Sequence, residues 1–382
     1  MPLMIDGHLD VAMNALLYER DQLLSVAELR EREKRGVADD RGIATVSLPE
    51  LHAAGVALIV GTLIMRCKPW VDPSRPLMRI DLDYPAPSMA YAAAQGQLAY
   101  YRLLEAQGHL RIITTREALQ AHLAQWQTVL PPIPKPRPLG LVLLMEGADP
   151  IVSPEQLTHW YDQGLRMLAL AHYGHSRYAA GTPSRDPASP EQDGPLTPLG
   201  RDLLKRANKL PIALDLSHLA DTSFHQALDC FHGPVCASHT NCRALANTPR
   251  QFTDSQLKLI IERDGVIGLP MYKGMIRWLA DGDPPRSAVQ LRHVIEHVDH
   301  ICQLAGSADH VALGTDLDGG FGVEAAPAGL DVYSDLHKLG PLMAERGFTD
   351  DDVARFFHGN WQRFLLHALP SAAAAPAPGD AA

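Results

Sequence analysis

Short apolar or β-branched runs alternate with stretches of helical periodicity along this 382-residue chain. That is the pattern of a parallel sheet whose strands are joined by crossover helices. Eight runs are read: Leu3 to Asp10, Val56 to Leu63, Leu139 to Glu146, Met167 to His172, Pro211 to His218, Pro234 to His239, Gly265 to Met271 and His310 to Asp316. Eight β/α units are the number that closes a barrel, and no Gly-rich phosphate turn follows Asp10 as it would in an open doubly wound sheet. The pattern predicts an α/β fold, a (β/α)8 TIM-like barrel, as one domain over residues 1–368.

Between the second and third runs, residues 86–127 read as helices rich in Ala, Leu and Gln, followed by an extended proline segment, TVLPPIPKPRP. The stretch 174–200 is too long and too rich in Pro, Gly and Ser for a plain connector, and such loops usually carry function. Thr197 is expected to cap a helix starting near Pro198, and Thr349 one running from Asp350 to about Ala368. Residues 369–382, rich in Ala and Pro, read as a disordered tail.

Composition narrows the field. With 46% hydrophobic and 20% charged residues the chain can bury a large core. Its 34 Lys+Arg against 44 Asp+Glu give a formal charge of -10 without a basic run, which argues against nucleic acid as a partner. Neither a signal-peptide apolar region nor a membrane-length run is read, so a cytoplasmic address and no membrane partner are expected. Five cysteines, Cys67, Cys230, Cys236, Cys242 and Cys302, lack paired spacing and read as reduced thiols.

The chemistry lies in what ends the apolar runs. The first ends in His8 and Asp10, the third in Glu146, the fourth in His172, the fifth in His218, the sixth in His239 and the eighth in Asp316. In a barrel these positions converge on the rim where active sites sit. His8 and Asp10, two apart on a strand, leave the same face and can grip one ion together. Imidazoles with carboxylates suit zinc, with manganese, cobalt and iron left open. Any single strand-end histidine has a bland explanation, and His52, His109, His122, His159 and His225 are read as bystanders. Four runs with a histidine at or next to their end, in a chain with 18 histidines, favour the functional reading of the set. Arg243 and Arg250, on the segment after His239, are candidates for gripping a substrate carboxylate.

The segments DGHLD at Asp6 to Asp10, MEG at Met145 to Gly147, DLSH at Asp215 to His218, SHTNCRAL at Ser238 to Leu245 with Pro249 and Arg250, and GTDLDG at Gly314 to Gly319 resemble the membrane (renal) dipeptidase family. LTPLGRDLL and GNWQRF are similar too, so the likeness runs from about residue 3 to 366. These are zinc peptidases among the amidohydrolase-like barrels, which makes the expected barrel one of metal-dependent hydrolase type. The resemblance implies two divalent metal ions, with zinc the expected identity: His8 and Asp10 on one, His218 and His239 on the other, Glu146 bridging both. It also implies that His172 polarises the scissile carbonyl, Arg250 takes the substrate's C-terminal carboxylate and Asp316 is the general acid/base, with Tyr272 near the substrate. Leu9 and Gln251 replace residues common in the family, and the loop after His172 departs from its usual form, which bears on substrate range.

The expected activity is hydrolysis of a small dipeptide by a metal-bridging hydroxide. Asp316 would move the proton, and Asp318 is the next candidate should it not. Two rivals use the same scaffold: another amidohydrolase-type enzyme, a deacylase or lactonase, and a non-catalytic metal-binding barrel. A bridging Glu146 in place of a lysine weighs against the first, and the full ligand set against the second. A homo-oligomer is left open.

Overall fold

The computed structural model describes residues 3–34, 42–68, 82–127, 137–183, 193–279 and 282–372. Its strands in chain order are β1 (Met4–Leu9), β2 (Val56–Ile64), β3 (Arg66–Cys67), β4 (Asp83–Tyr84), β5 (Leu110–Ile112), β6 (Leu139–Glu146), β7 (Leu165–Ala169), β8 (Ala213–Asp215), β9 (Val235–Cys236), β10 (Ile267–Leu269) and β11 (Val311–Leu313). Each of the eight runs read from the sequence contains or overlaps one of these strands. β3, β4 and β5 are additional. Most of the proline segment, residues 184–192 of the long connection, and the tail beyond residue 372 lie outside the described residues.

The chain divides into two compact units, Met1–Thr62 with Cys236–Gln362, and Leu63–Val235 with Arg363–Ala382. In the first, β1 and β2 run parallel, with Met4 opposite Val56 and Leu9 opposite Gly61. β10 and β11 are likewise parallel, and Ala237 bridges to Ile267 beside them. The Asp316 N–H donates to the His8 carbonyl at 3.2 Å, tying the segment after β11 to β1. Every residue of β1 is buried, as expected of a parallel strand covered on both faces.

The last long helix of the chain begins at Thr349, whose hydroxyl caps it in a capping box with Asp352. It then widens into a π turn over Arg355–Gly359 before resuming at Asn360–Ala368. The widened turn delivers two polar side chains onto the end of the sheet. Asn360 Nδ2 donates to the carbonyls of Ala308 (2.7 Å) and Val311 (2.8 Å), and Trp361 Nε1 to that of Leu313 (2.6 Å). Trp361 is fully buried and lies against Gly7, where a Cβ would fall 2.1 Å from its Cζ2. Only glycine fits between Asp6 and His8.

In the second unit β5, β6, β7 and β8 form a parallel ladder in that order. β6, LGLVLLME, is buried along its whole length. The region 86–127 holds the helices Pro87–Ala106 and Arg116–Gln127 with β5 between them. Thr197 accepts from the Gly200 N–H and caps the helix Pro198–Ala207, as its sequence predicts. Among the described residues no helix is long and apolar enough to cross a membrane.

Candidate metal and catalytic site

Within the first unit, β1 delivers His8 and Asp10, both buried. Their backbone is fixed by Asp6, whose carboxylate accepts from the N–H of His8 (3.1 Å), from Thr315 N (2.9 Å) and Oγ1 (2.5 Å), and from the Tyr333 hydroxyl (2.8 Å). Burial raises the Asp6 carboxyl above its ordinary range, against the pull of the Thr315 donors. The Thr62 hydroxyl donates to Asp10 Oδ1. Ser238 Oγ stands between two imidazoles, 3.0 Å from His8 Nδ1 and 2.8 Å from His239 Nδ1. The two rings lie 3.7 Å apart, centre to centre. With both Nδ1 atoms engaged by one hydroxyl, Nε2 is the nitrogen each ring would offer a metal.

His8 Nε2 is 3.8 Å from Asp10 Oδ1 and 3.9 Å from Asp316 Oδ1. Asp316 and Asp318 both adopt left-handed backbone, φ 53° and 64°, a conformation that aspartate tolerates better than most side chains. Their fates differ. Asp316 is 15% exposed. Asp318 is buried and accepts from Thr45 N (2.9 and 3.0 Å), Thr45 Oγ1 (2.6 Å) and Val46 N (3.0 Å), with Arg20 Nη1 at 3.5 Å. Burial raises its carboxyl, and Arg20 and Thr45 draw it back. Asp318 is a structural anchor, which corrects its reading as a reserve proton carrier.

Arg250 is buried, its Nη2 donating to the His239 carbonyl at 2.9 Å. Arg243 Nε donates to the Gln251 carbonyl (2.8 Å) and its Nη2 to that of Pro249 (3.3 Å). These bonds tie Arg243 to the loop that carries Arg250. Tyr272 follows β10, its hydroxyl donating to Asp283 Oδ2 at 2.9 Å and its ring edge-on to Phe321.

Within the second unit, β6 ends in Glu146, and His172 and His218 each stand three residues beyond the ends of β7 and β8. Glu146 Oε1 lies 3.3 Å from His218 Nε2 and 3.9 Å from His172 Nε2. These three side chains can place ligand atoms within 4.8 Å of one another. Glu146 and His218 are buried and His172 is 13% exposed. The backbone around them is held by the segment after His172. Thr182 N–H donates to the His218 carbonyl (2.7 Å), and Gly181 presses on the His172 carbonyl so closely that a Cβ would fall 1.7 Å from it.

The donor sets fit divalent metal. Two ligands bonded at ~2.0–2.1 Å to a tetrahedral ion lie ~3.3 Å apart and move further apart as the angle opens, the range that Glu146–His218 and His8–Asp10 span. At 3.8 and 3.9 Å the His8 separations are too long for hydrogen bonds. Sequence reasoning found each of these ligand candidates, because a strand end is legible. It missed Asp6 and Ser238 as supports, although both stand inside the motifs, and it missed Arg66, which contacts His172, with its partner Asp83.

Comparison with known proteins first gives the class. A Rhodobacter sphaeroides metallo peptidase, solved with a phosphinate mimic of the dipeptide L-Ala-D-Ala, superposes with a TM-score of 0.74 at 24% identity, covering 96% of this chain and 99% of that one. A dipeptidase described as a metallo peptidase of family M19 gives 0.73 at 25% identity, covering 97% and 99%. The fold is α/β, a (β/α)8 barrel of the metal-dependent hydrolase type. The chain belongs to the membrane dipeptidase family, peptidase family M19, whose model matches residues 2–377. An uncharacterized dipeptidase of Schizosaccharomyces pombe is 32% identical over 211 residues, 55% of this chain and 48% of the relative. A dipeptidase of Claviceps purpurea is 30% identical over 213 residues, 56% and 47%. In both alignments the chain spans about half the relative's length.

Proposed function

We propose that this protein is a metal-dependent dipeptidase, a single barrel domain over residues 1–368, that hydrolyses small dipeptides with two divalent ions, zinc being the expected metal. The observation that carries the reading is the pair of buried histidine and carboxylate clusters in a chain of family M19. In this reading His8 and Asp10 hold one ion, His218 and His239 the other, and Glu146 serves both. When bound, such a pair lowers the pKa of water enough to supply hydroxide near neutral pH and polarises the scissile carbonyl.

The chain's own residues do the rest. Asp316, held in a left-handed turn and partly open to solvent, accepts the proton of the attacking water and passes it to the departing amine. His172 donates a hydrogen bond to the carbonyl oxygen as it gains charge. Arg250 grips the free carboxylate of the substrate, so short peptides fit and long chains do not. Tyr272 lines the substrate side.

The test uses the full chain, purified with and without added zinc, manganese or cobalt, and a panel of dipeptides beginning with L-Ala-D-Ala. About two ions per chain, chelator-sensitive hydrolysis and no cleavage of N-acyl amino acids or lactones are expected. Hydrolysis of N-acyl amino acids or lactones in preference to dipeptides would replace the reading with the deacylase or lactonase. Metal binding with no hydrolysis of any of these would leave a non-catalytic barrel.

A further inference from the structure

His172 Nδ1 lies 3.3 Å from Arg66 Nη1. A guanidinium carries donors only and stays charged at any working pH. Nδ1 must therefore accept, and the proton of the neutral ring stands on Nε2. The donor cannot swing aside, because Asp83 grips Arg66 through Nε (2.6 Å) and Nη2 (3.0 Å). The parallel pairing of Arg66 with Asp83 in β3 and β4 fixes the backbones beneath that bidentate pair. On its other side the imidazole meets the Tyr173 ring edge-on at 4.8 Å, and its backbone is pinned by Gly181. Nε2 points toward the end of β6, 3.9 Å from Glu146 Oε1.

We infer that Asp83 and Arg66 set the tautomer of His172, so that an N–H and not a lone pair faces the reacting carbonyl. Arg66 is a positioning residue. Its remaining nitrogens are engaged by Asp83, so it acts through the imidazole and not on the substrate. The opposite tautomer would present a lone pair to an oxygen that is gaining negative charge, which repels it. The use made of the N–H rests on the dipeptidase reading, whereas the position of the proton does not.

The experiment records long-range ¹H–¹⁵N spectra of ¹⁵N-histidine-labelled, zinc-replete protein without substrate, with the His172 signals assigned by their loss in His172→Gln. The wild type is expected to show the Nε2–H pattern. Arg66→Met should shift His172 toward a mixture of tautomers and lower kcat about 10- to 100-fold, the usual effect of losing a residue that orients a site ligand. KM and metal content should stay little changed. Arg66→Lys, which can still donate to Nδ1, should keep the wild-type pattern and recover part of kcat. Should Arg66→Met fail to fold, Asp83→Asn loosens the guanidinium and carries the same expectation. A wild-type His172 protonated on Nδ1, or bound to metal through Nε2, overturns the inference, as does an unchanged tautomer in Arg66→Met or, in its place, Asp83→Asn. If no dipeptide is cleaved while the tautomer follows Arg66, the dipeptidase reading falls and the tautomer assignment stands.

Discussion

Asp316 and Asp318 stand two residues apart in one turn, and replacing each by asparagine should have opposite consequences. Asparagine keeps the size of the side chain and tolerates the left-handed backbone that both positions require. At Asp318 both carboxylate oxygens meet donors: Thr45 N and Oγ1 on one, Thr45 N, Val46 N and Arg20 on the other. An amide has one acceptor, so its NH2 must face some of these. Hydrogen bonds to a charged group contribute about 1.5–3 kcal/mol and neutral ones about 0.5–1.5. Three bonds each losing about 1 kcal/mol give a destabilisation of roughly 3 kcal/mol. Arg20 keeps Glu33, Asn14 and the Gly42 carbonyl as partners, which limits the loss. With an unfolding entropy of about 2.1 cal/mol/K per residue, 382 residues unfolding together convert this into a Tm drop of roughly 4 °C. Asp316→Asn should leave Tm nearly unchanged and lower kcat about 10²- to 10⁴-fold, since an amide cannot take a proton from water. Scanning calorimetry and steady-state kinetics on the best dipeptide decide it. An Asp318→Asn protein with wild-type Tm, or an Asp316→Asn protein with wild-type kcat, would refute the division of labour.

Arg250→Met should reduce kcat/KM on dipeptides at least about tenfold, the loss of one charge-assisted hydrogen bond. Amidating the substrate's C-terminus should impair the wild type similarly and the variant hardly further, and additive losses would take Arg250 off the carboxylate. Glu146→Ala should abolish binding of both ions, read by elemental analysis after dialysis, and retention of both would remove it from the site. His297 is held neutral in the core, its pKa pushed down by burial from 6.5 to about 4. Its Nδ1 accepts from Cys242 N (3.1 Å), and Nε2 donates to the Ile276 carbonyl (2.8 Å). Below pH 6.5 the unfolded chain takes a proton that the native ring refuses, so stability is lost as pH falls toward 4, by about 1.4 kcal/mol per pH unit. Urea denaturation at pH 5 and pH 7 should show a shallower pH dependence in His297→Gln, and parallel curves would contradict it.

What the sequence made legible follows from how each feature is encoded. Parallel strands buried on both faces are written as apolar runs, so β6 could be bounded to the residue, from Leu139 to Glu146. β8, β10 and β11 have only three residues each, yet their apolar flanks gave them away. β5 is just as short but stands between two helices, and its run carries Arg111, so nothing separated it from a turn. Strand-end histidines and carboxylates stood out as site candidates in the sequence because a barrel brings strand ends together. Of Arg243 and Arg250, which share one segment, only the family resemblance singled out Arg250, since spacing alone does not say which carbonyls the loop presents to each. Asp318 looked like a twin of Asp316, and its role depends on Thr45 and Arg20, hundreds of residues away. The expectation for the Asp350 helix held, apart from the π turn, which costs no visible signal in the sequence.

The wedge that Trp361 drives against Gly7 has a consequence for how the protein comes to life on the ribosome. His8 and Asp10 leave the ribosome well before the indole that completes the packing of their strand, which is encoded some 350 positions later. At about 5–20 residues per second the strand must wait roughly 20 to 70 s for it. Throughout that interval the nascent chain carries a histidine and an aspartate with no finished strand to aim them. The packing of that strand is therefore completed late, with the helix that carries Trp361, and a message truncated before residue 361 would yield a product that keeps His8 and Asp10 in sequence but lacks the indole that packs beside them.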